Sequence, residues 1–210
     1  MRFPELTFNA YYFIIRTVHL QPLKHPMTNS STRPSAKQRL IDVATEIVST
    51  QGVQALTLEG VAADAGVTKG GLIYHFKTKD DLLEAVVKAM LEEWGQRNRA
   101  KATQAGNSSG DLLRAMIDDT LDMQPGEKQL MSNLLAAASN YPHLLGPVRD
   151  LYNHLYSDFA NSGPQNGTAL VIAAALDGIT MLQLLDFHRF NEHERKAIRL
   201  ALHTLAKQLT

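Results

Sequence analysis

The chain has 210 residues, with 21 Lys and Arg against 21 Asp and Glu, 44% hydrophobic side chains and no cysteine. That length holds one or two compact domains with a full core, and the lack of cysteine excludes a disulfide framework, a thiolate zinc site and a cysteine nucleophile. The zero net charge is an average: residues 1–79 carry nine Lys/Arg and five Asp/Glu, residues 80–210 twelve and sixteen. The basic part is the candidate for phosphate contact, but its excess is too small to stand without a motif.

Residues 1–34 read as an extension and linker. The apolar run Tyr11-Tyr12-Phe13-Ile14-Ile15 is broken by Arg16 and His19, well short of the ~18 apolar residues that span a bilayer. Glu5 lies where a signal peptide needs positive charge. Met27 is read as the start of the protein, with the residues before it as upstream sequence; a functional arm is the other reading. A start at Met27 lowers the basic excess of the N-terminal part to six against four.

From Ser35 onward the periodicity is helical. Ser35 caps a helix with Leu40, Ile41, Ala44, Ile47 and Val48 on one face, and Gly52 ends it. Thr57 caps a short helix over 58–64, and Ala65-Gly66-Val67 makes a tight turn. Thr68 caps a second short helix to about His75. Thr78 caps a long one with Leu82, Leu83, Val86, Val87, Met90, Leu91 and Trp94 at 3.6-residue spacing. The Gly- and Ser-rich loop at 106–110 reads as the best candidate for a domain seam.

Five more helices follow. One carries Leu112, Leu113, Met116, Ile117 and Leu121. The next carries Leu130, Met131, Leu134, Leu135 and Ala138, ending at Tyr141-Pro142. A third runs from about Leu144 through Val148, Leu151, Tyr152, Leu155, Tyr156 and Phe159. Residues 168–187 are apolar around nearly the whole helix, so this segment needs cover on most sides. The last helix, about 192–208, points Ile198, Ala201, Leu202, Leu205 and Leu209 inward. With no alternating strand pattern, the expected fold class is all-α, with about nine helices.

The chemistry concentrates between Thr57 and Lys79. Two short helices joined by a Gly turn have the shape of a helix-turn-helix, whose second helix enters the major groove. Lys69-Gly70-Gly71 opens that second helix. Two glycines cost a helix roughly 1 kcal/mol each against alanine, which makes sense where the backbone must approach another surface. Thr57 and Thr68 bring hydroxyls and helix-start N–H groups, Tyr74 and His75 hydrogen-bonding rings, Lys77 and Lys79 charge. Lys69 is the side chain placed to read a base, guanine by preference.

Thr57, Val61-Ala62, Ala65-Gly66-Val67-Thr68-Lys69-Gly70, Tyr74-His75-Phe76, Lys79 and Leu82, at their spacing, resemble the DNA-binding signature of the tetracycline-repressor (TetR/AcrR) family of bacterial transcriptional regulators. Gly60 is less helix-friendly than is usual there. The resemblance implies an all-α homodimer. A three-helix DNA-binding domain over 35–79 (motif 57–76, family-type domain to about 95) is joined by a long fourth helix to a ligand-binding and dimerisation domain over 80–210. It implies phosphate contacts from Thr57, Tyr74, His75 and Lys79, a groove-facing set of Thr68, Lys69, Gly70 and Gly71, and a core role for Phe76.

Residues 169–185 with the last helix are the candidate dimer face, a core helix within a monomer being the other reading, and Asp177-Gly178 lies where members of the resembled family often carry similar residues, which implies close helix approach there. Met90, Trp94, Met116, Met123, Met131, Tyr141, Tyr152, Tyr156 and Phe159 are candidate ligand-pocket residues, all at spacing that also suits packing. Few charges occur among them, which favours an apolar or weakly polar inducer. No catalytic motif stands out, and no enzyme activity, cofactor or metal is expected. His193-Glu194 lacks the second histidine of a zinc-protease motif, and His188, His193 and His203 read as solvated. The expected function is a cytoplasmic, ligand-responsive repressor that leaves a palindromic DNA operator when a small inducer binds, with no membrane partner. The alternatives are an activator, a ligand-independent regulator, or a helical ligand-binding protein without DNA binding.

Overall fold

The computed structural model describes residues 34–209; the extension read over 1–34 lies outside these residues except for Pro34. Among the described residues there are nine α-helices and no strand. Helix α1 (Ala36–Gln51) starts at Ser35, whose hydroxyl accepts from Gln38 N at 3.1 Å, and stops at Gly52, where φ is +84°. A short 3-10 turn (Val53–Ala55) leads to α2 (Leu58–Asp64) and α3 (Lys69–His75). Helix α4 (Lys79–Ala105) has 27 residues, about 40 Å at 1.5 Å per residue. Thr78 and Asp81 close a capping box at its start, as the Thr-x-x-Asp spacing allows.

The remaining helices are α5 (Ser109–Leu121), α6 (Pro125–Ala137), α7 (Leu145–Ala160), α8 (Asn166–Leu184) and α9 (Glu192–Ala206), with a 3-10 turn (Pro142–Leu144) between α6 and α7. Three ends differ from the periodicity. Helix α6 stops four residues before Tyr141, and Pro142 holds Tyr141 out of helical conformation. Helix α8 stops at Leu184 because Asp186 takes φ +55°. Phe187 N then bonds Leu182 O at 2.9 Å, closing a Schellman turn with an aspartate in the usual glycine place. Arg189 holds that aspartate from two nitrogens at 2.7 and 2.8 Å. Helix α9 ends at Ala206, and Ala201 lies on its exposed side rather than inward.

Two hydrophobic clusters organise the molecule. The first joins α1 to α3 with Leu82, Leu83, Val86 and Val87 of α4, and takes in Leu130, Leu134 and Ala137 of α6 and Leu144. The core of the helix-turn-helix part therefore runs past residue 79 and is shared with a helix distant in sequence. The second joins α5, α7, α8 and α9 through Leu113, Ile117, Phe159, Ile172, Leu176 and Leu202. Trp94 packs against it from the far half of α4, so α4 serves both.

The loop at 106–110 is shorter than its composition suggests. Only Gly106 to Ser108 lie outside helices, and Ser108 and Asp111 form a capping box. A Cβ on Gly110 would sit 2.2 Å from the Leu209 carbonyl oxygen, because the end of α9 lies directly against the start of α5. Arg114 reinforces the junction, reaching the Asp111 carboxylate and the Ala206 carbonyl, the latter at 3.2 Å.

Candidate nucleic-acid interface and ligand cavity

Helices α2 and α3 are fixed to each other by a Schellman turn. Gly66 takes φ +62°, Val67 N bonds Ala62 O at 2.9 Å and Gly66 N bonds Ala63 O at 3.1 Å. Arg39 of α1 ties down the same turn through the Ala65 carbonyl at 3.3 Å. Leu72 and Phe76 anchor α3 in the first core. Its outer side is left to solvent: Tyr74 is 84% exposed, Ile73 43%, and Thr68, Lys69 and Gly70 are exposed.

Both short helices begin alike. Thr57 Oγ1 accepts from Gly60 N and Thr68 Oγ1 accepts from Gly71 N, each at 3.1 Å. Each hydroxyl proton remains available to a phosphate oxygen. The glycines then separate into two kinds. A Cβ on Gly60 would lie 2.9 Å from Thr57 Oγ1, and one on Gly71 would lie 3.0 Å from Val67 Cγ1 and 3.2 Å from Thr68 Oγ1. These two make room for their own caps, which accounts for the unusual Gly60. Gly70 is different, since a Cβ there meets nothing within 4 Å. Of the Gly-Gly pair, Gly70 alone has no internal reason to be glycine.

Charge is arranged unevenly over this face. Lys69 Nζ lies 2.9 Å from Glu59 Oε1 across the turn. The hydrogen bond and opposite charge hold Glu59 below the usual carboxylate range and Lys69 above the usual lysine value. Lys79 is half-buried at the first turn of α4, and burial lowers its pKa. His75 is half-buried with its ring 5.0 Å from that of Tyr74 in an edge-on contact.

Above this head lies a cavity of about 440 Å³, walled by α4 to α8 with the end of α1. Met90, Trp94, Met116, Met123, Met131 and Tyr152 line it. Tyr141, Tyr156 and Phe159 do not. Phe159 is buried in the second core and Tyr141 packs on the first, as their helical spacing also allowed. Tyr156 touches the cavity indirectly, donating its hydroxyl to Asp177 in the wall.

The cavity also carries charges that periodicity along the chain does not mark. Glu46, Glu93, Asp119, Glu127 and Asp177 line it, against Arg97 as the single cation among the described lining residues. Arg97 is bidentate to Asp119 at 2.8 and 3.1 Å and reaches Glu127 at 2.7 Å. These groups come from α4, α5 and α6, so no spacing along the chain joins them. Asp177 did carry a signal, as the only charged residue of α8.

Helix α8 is apolar and long enough to cross a bilayer by composition. Ala169, Ile172, Ala173 and Leu176 face the second core. On the opposite side Val171 (61% exposed), Ala174, Gly178, Leu182 and Leu185 form an open stripe, continued by Leu200 (71% exposed) and Ala201 on α9. A Cβ on Gly178 meets nothing within 4 Å, so the close approach read at Asp177-Gly178 does not occur within one chain. The histidines stay apart, His203 against Asp118 at 3.0 Å and His188 against Glu194 at 3.4 Å. Among the described residues no cluster of His, Asp or Glu could hold a metal.

Residues 40–86 match the family described as bacterial regulatory proteins, tetR family, and residues 110–207 match the tetracyclin repressor-like C-terminal domain. The transcriptional regulator BetI of Pectobacterium carotovorum is 25% identical, over 88% of this chain and 99% of its own. Among solved structures, a TetR-family member from Streptomyces coelicolor is 28% identical with a TM-score of 0.61, covering 82% of this chain and 98% of that one. The multidrug binding protein EbrR in complex with malachite green is 27% identical with a TM-score of 0.63 over the same shares.

Proposed function

The chain belongs to the TetR family of bacterial transcriptional regulators, and from that premise we propose that it is a homodimeric repressor released from a palindromic DNA operator by a small, largely apolar ligand. The observation that carries the DNA part is the outer side of α3. An exposed tyrosine, two threonine-capped helix starts and a glycine open to solvent stand together on a helix whose other side is locked in the core. In this reading Thr57, Tyr74, His75 and Lys79 hold phosphates, and Thr68, Lys69 and Gly70 face the groove, with Gly70 allowing the backbone close. Gly71 accompanies them by keeping the α3 cap in shape.

The ligand domain, residues 80–210, is read from the cavity and from the relatives. EbrR is solved with malachite green and with ethidium, which supports a ligand among these helices. The open α8–α9 stripe is the surface a second copy would cover, since apolar area of this extent gains by burial. Two recognition helices then meet half-sites ~34–36 Å apart or a multiple of that. A ligand between α4, α6 and α7 changes how α6 rests on α1, and so the separation of the two heads. Such a protein works in the cytoplasm, where the DNA is.

Fluorescence anisotropy with DNA flanking its own gene, over a range of salt, tests the reading. Binding should weaken steeply as salt rises, because phosphate contacts release counterions. Salt-insensitive binding, or none to any flanking segment, would remove the DNA function and leave a ligand-binding protein.

A further inference from the structure

Asp177 sits midway along α8, the one charge on a nineteen-residue helix, and lines the cavity. Tyr152 and Tyr156, one turn apart on α7, both donate to it: Tyr152 Oη to Oδ1 at 3.0 Å, Tyr156 Oη to Oδ2. Burial, with the Asp177 charge and hydrogen bonds, pushes both phenols well above their ordinary value, so they remain protonated donors. Two neutral hydroxyls do not cancel the charge. Arg97, the only cation in the described wall, is engaged by Asp119 and Glu127.

A carboxylate held in a mostly apolar cavity without a counter-charge is costly. Valine or leucine would fit α8 without that cost. The tyrosine pair, with rings 6.1 Å apart and 17° from parallel, keeps the carboxylate in one position facing the cavity. Trp94 and Tyr152 add aromatic walls, which attract a cation placed over a ring face within about 6 Å. The lining as a whole has five carboxylates to one guanidinium.

We infer that the cavity takes an organic cation with an apolar body, its charged centre against the Asp177 carboxylate and its body among the methionines and leucines of α4 to α7. The inference rests on the reading of this cavity as the ligand site of a regulator, and it adds the charge. An anion of the same shape meets the same apolar wall and is repelled at Asp177.

Tetraphenylphosphonium and tetraphenylborate, near-identical in shape and opposite in charge, make the test. Binding of each to the full chain is measured by calorimetry, then repeated with Asp177→Asn. The phosphonium should bind at least about tenfold tighter than the borate, and Asp177→Asn should weaken the phosphonium at least about tenfold with little change in the borate. Equal binding of the two ions, binding of neither, or an unchanged phosphonium affinity in Asp177→Asn overturns the inference. Should Asp177→Asn fail to fold, the comparison of the two ions on the unaltered protein decides alone. Release of DNA is read separately by anisotropy. Phosphonium binding without release keeps the cation site and sinks the inducer reading, whereas release by the borate alone sinks the cation site.

Discussion

Asn133 of α6 holds the end of α1, its side-chain nitrogen donating to Val48 O at 2.8 Å and to Ser49 O at 3.1 Å. Helix ends leave carbonyls without helical partners, and here a helix lining the ligand cavity supplies a donor to Ser49 O and a second one, beside Gly52 N, to Val48 O. One residue away, Ser132 donates to Leu184 O at the end of α8 at 3.1 Å. Helix α6 thus grips both the head and α8. Asn133→Ala should cost roughly 1 to 2 kcal/mol in urea unfolding. It should keep operator affinity within about threefold while blunting ligand release, seen as a smaller anisotropy change at saturating ligand. Full release in the variant would show that the grip does not transmit.

The two adjacent glycines of α3 should behave in opposite ways. Gly70→Ala meets no internal obstacle and should stabilise the chain by up to about 1 kcal/mol, yet lose operator binding. Gly71→Ala presses on Val67 and should forfeit that gain. Thermal melts and anisotropy on both variants separate the roles. Retained operator binding in Gly70→Ala would mean that the α3 backbone does not approach DNA.

Lys79→Ala should weaken binding to all DNA sequences alike and lower the slope of log K against log salt by about 0.9, the value for one phosphate. Lys69→Ala should instead alter preference among operator variants. An equal loss on every sequence would remove Lys69 as a base reader.

Gly110→Ala places a methyl against the Leu209 carbonyl. The junction of α5 and α9 must then shift, at a cost of about 1 to 3 kcal/mol in urea unfolding. An unaffected midpoint would show that the end of α9 moves aside freely.

Stability should fall as the solution is acidified. Hydrogen bonding to Arg199 holds Asp122 below the ordinary carboxylate range, and the Ser108 hydroxyl and N–H, then Arg114, do the same to Asp111. A carboxyl lower in the folded state binds fewer protons there than in the unfolded chain. Its contribution is complete above the unfolded value near 4 and is lost as pH drops through the folded value. Asp158, raised by burial, opposes this as a single group. The urea midpoint should therefore decline below about pH 4, and Asp122→Asn should flatten that decline.

Local chemistry was legible in the sequence. The caps at Ser35, Thr57, Thr68 and Thr78 and the Gly66 turn are decided by a few adjacent residues and stand where the spacing put them. The cavity's methionines, Trp94 and Tyr152 were found because core and cavity walls use the same residue types. The contacts missed were those made across helices: Arg97 with Asp119 and Glu127, Asn133 with the end of α1, Glu59 with Lys69. Each depends on how helices cross, which periodicity does not encode. Asp186 was missed for another reason, as it closes a helix in a conformation normally left to glycine and is held there by Arg189.

The Glu59–Lys69 pair also bears on how the protein would search a genome. With Lys69 occupied by its neighbour, the reader adds little net attraction to DNA of arbitrary sequence. Sliding would then depend on the proposed phosphate contacts of Lys79 and the hydroxyls around it, which are the same at every step. If Lys69 reads a base as proposed, one that offers a better acceptor than Glu59 would draw it out, freeing a carboxylate at the same moment. On the proposed DNA reading the pair would hold the reader back at wrong sites, with the modest strength of an ion pair open to solvent on both sides.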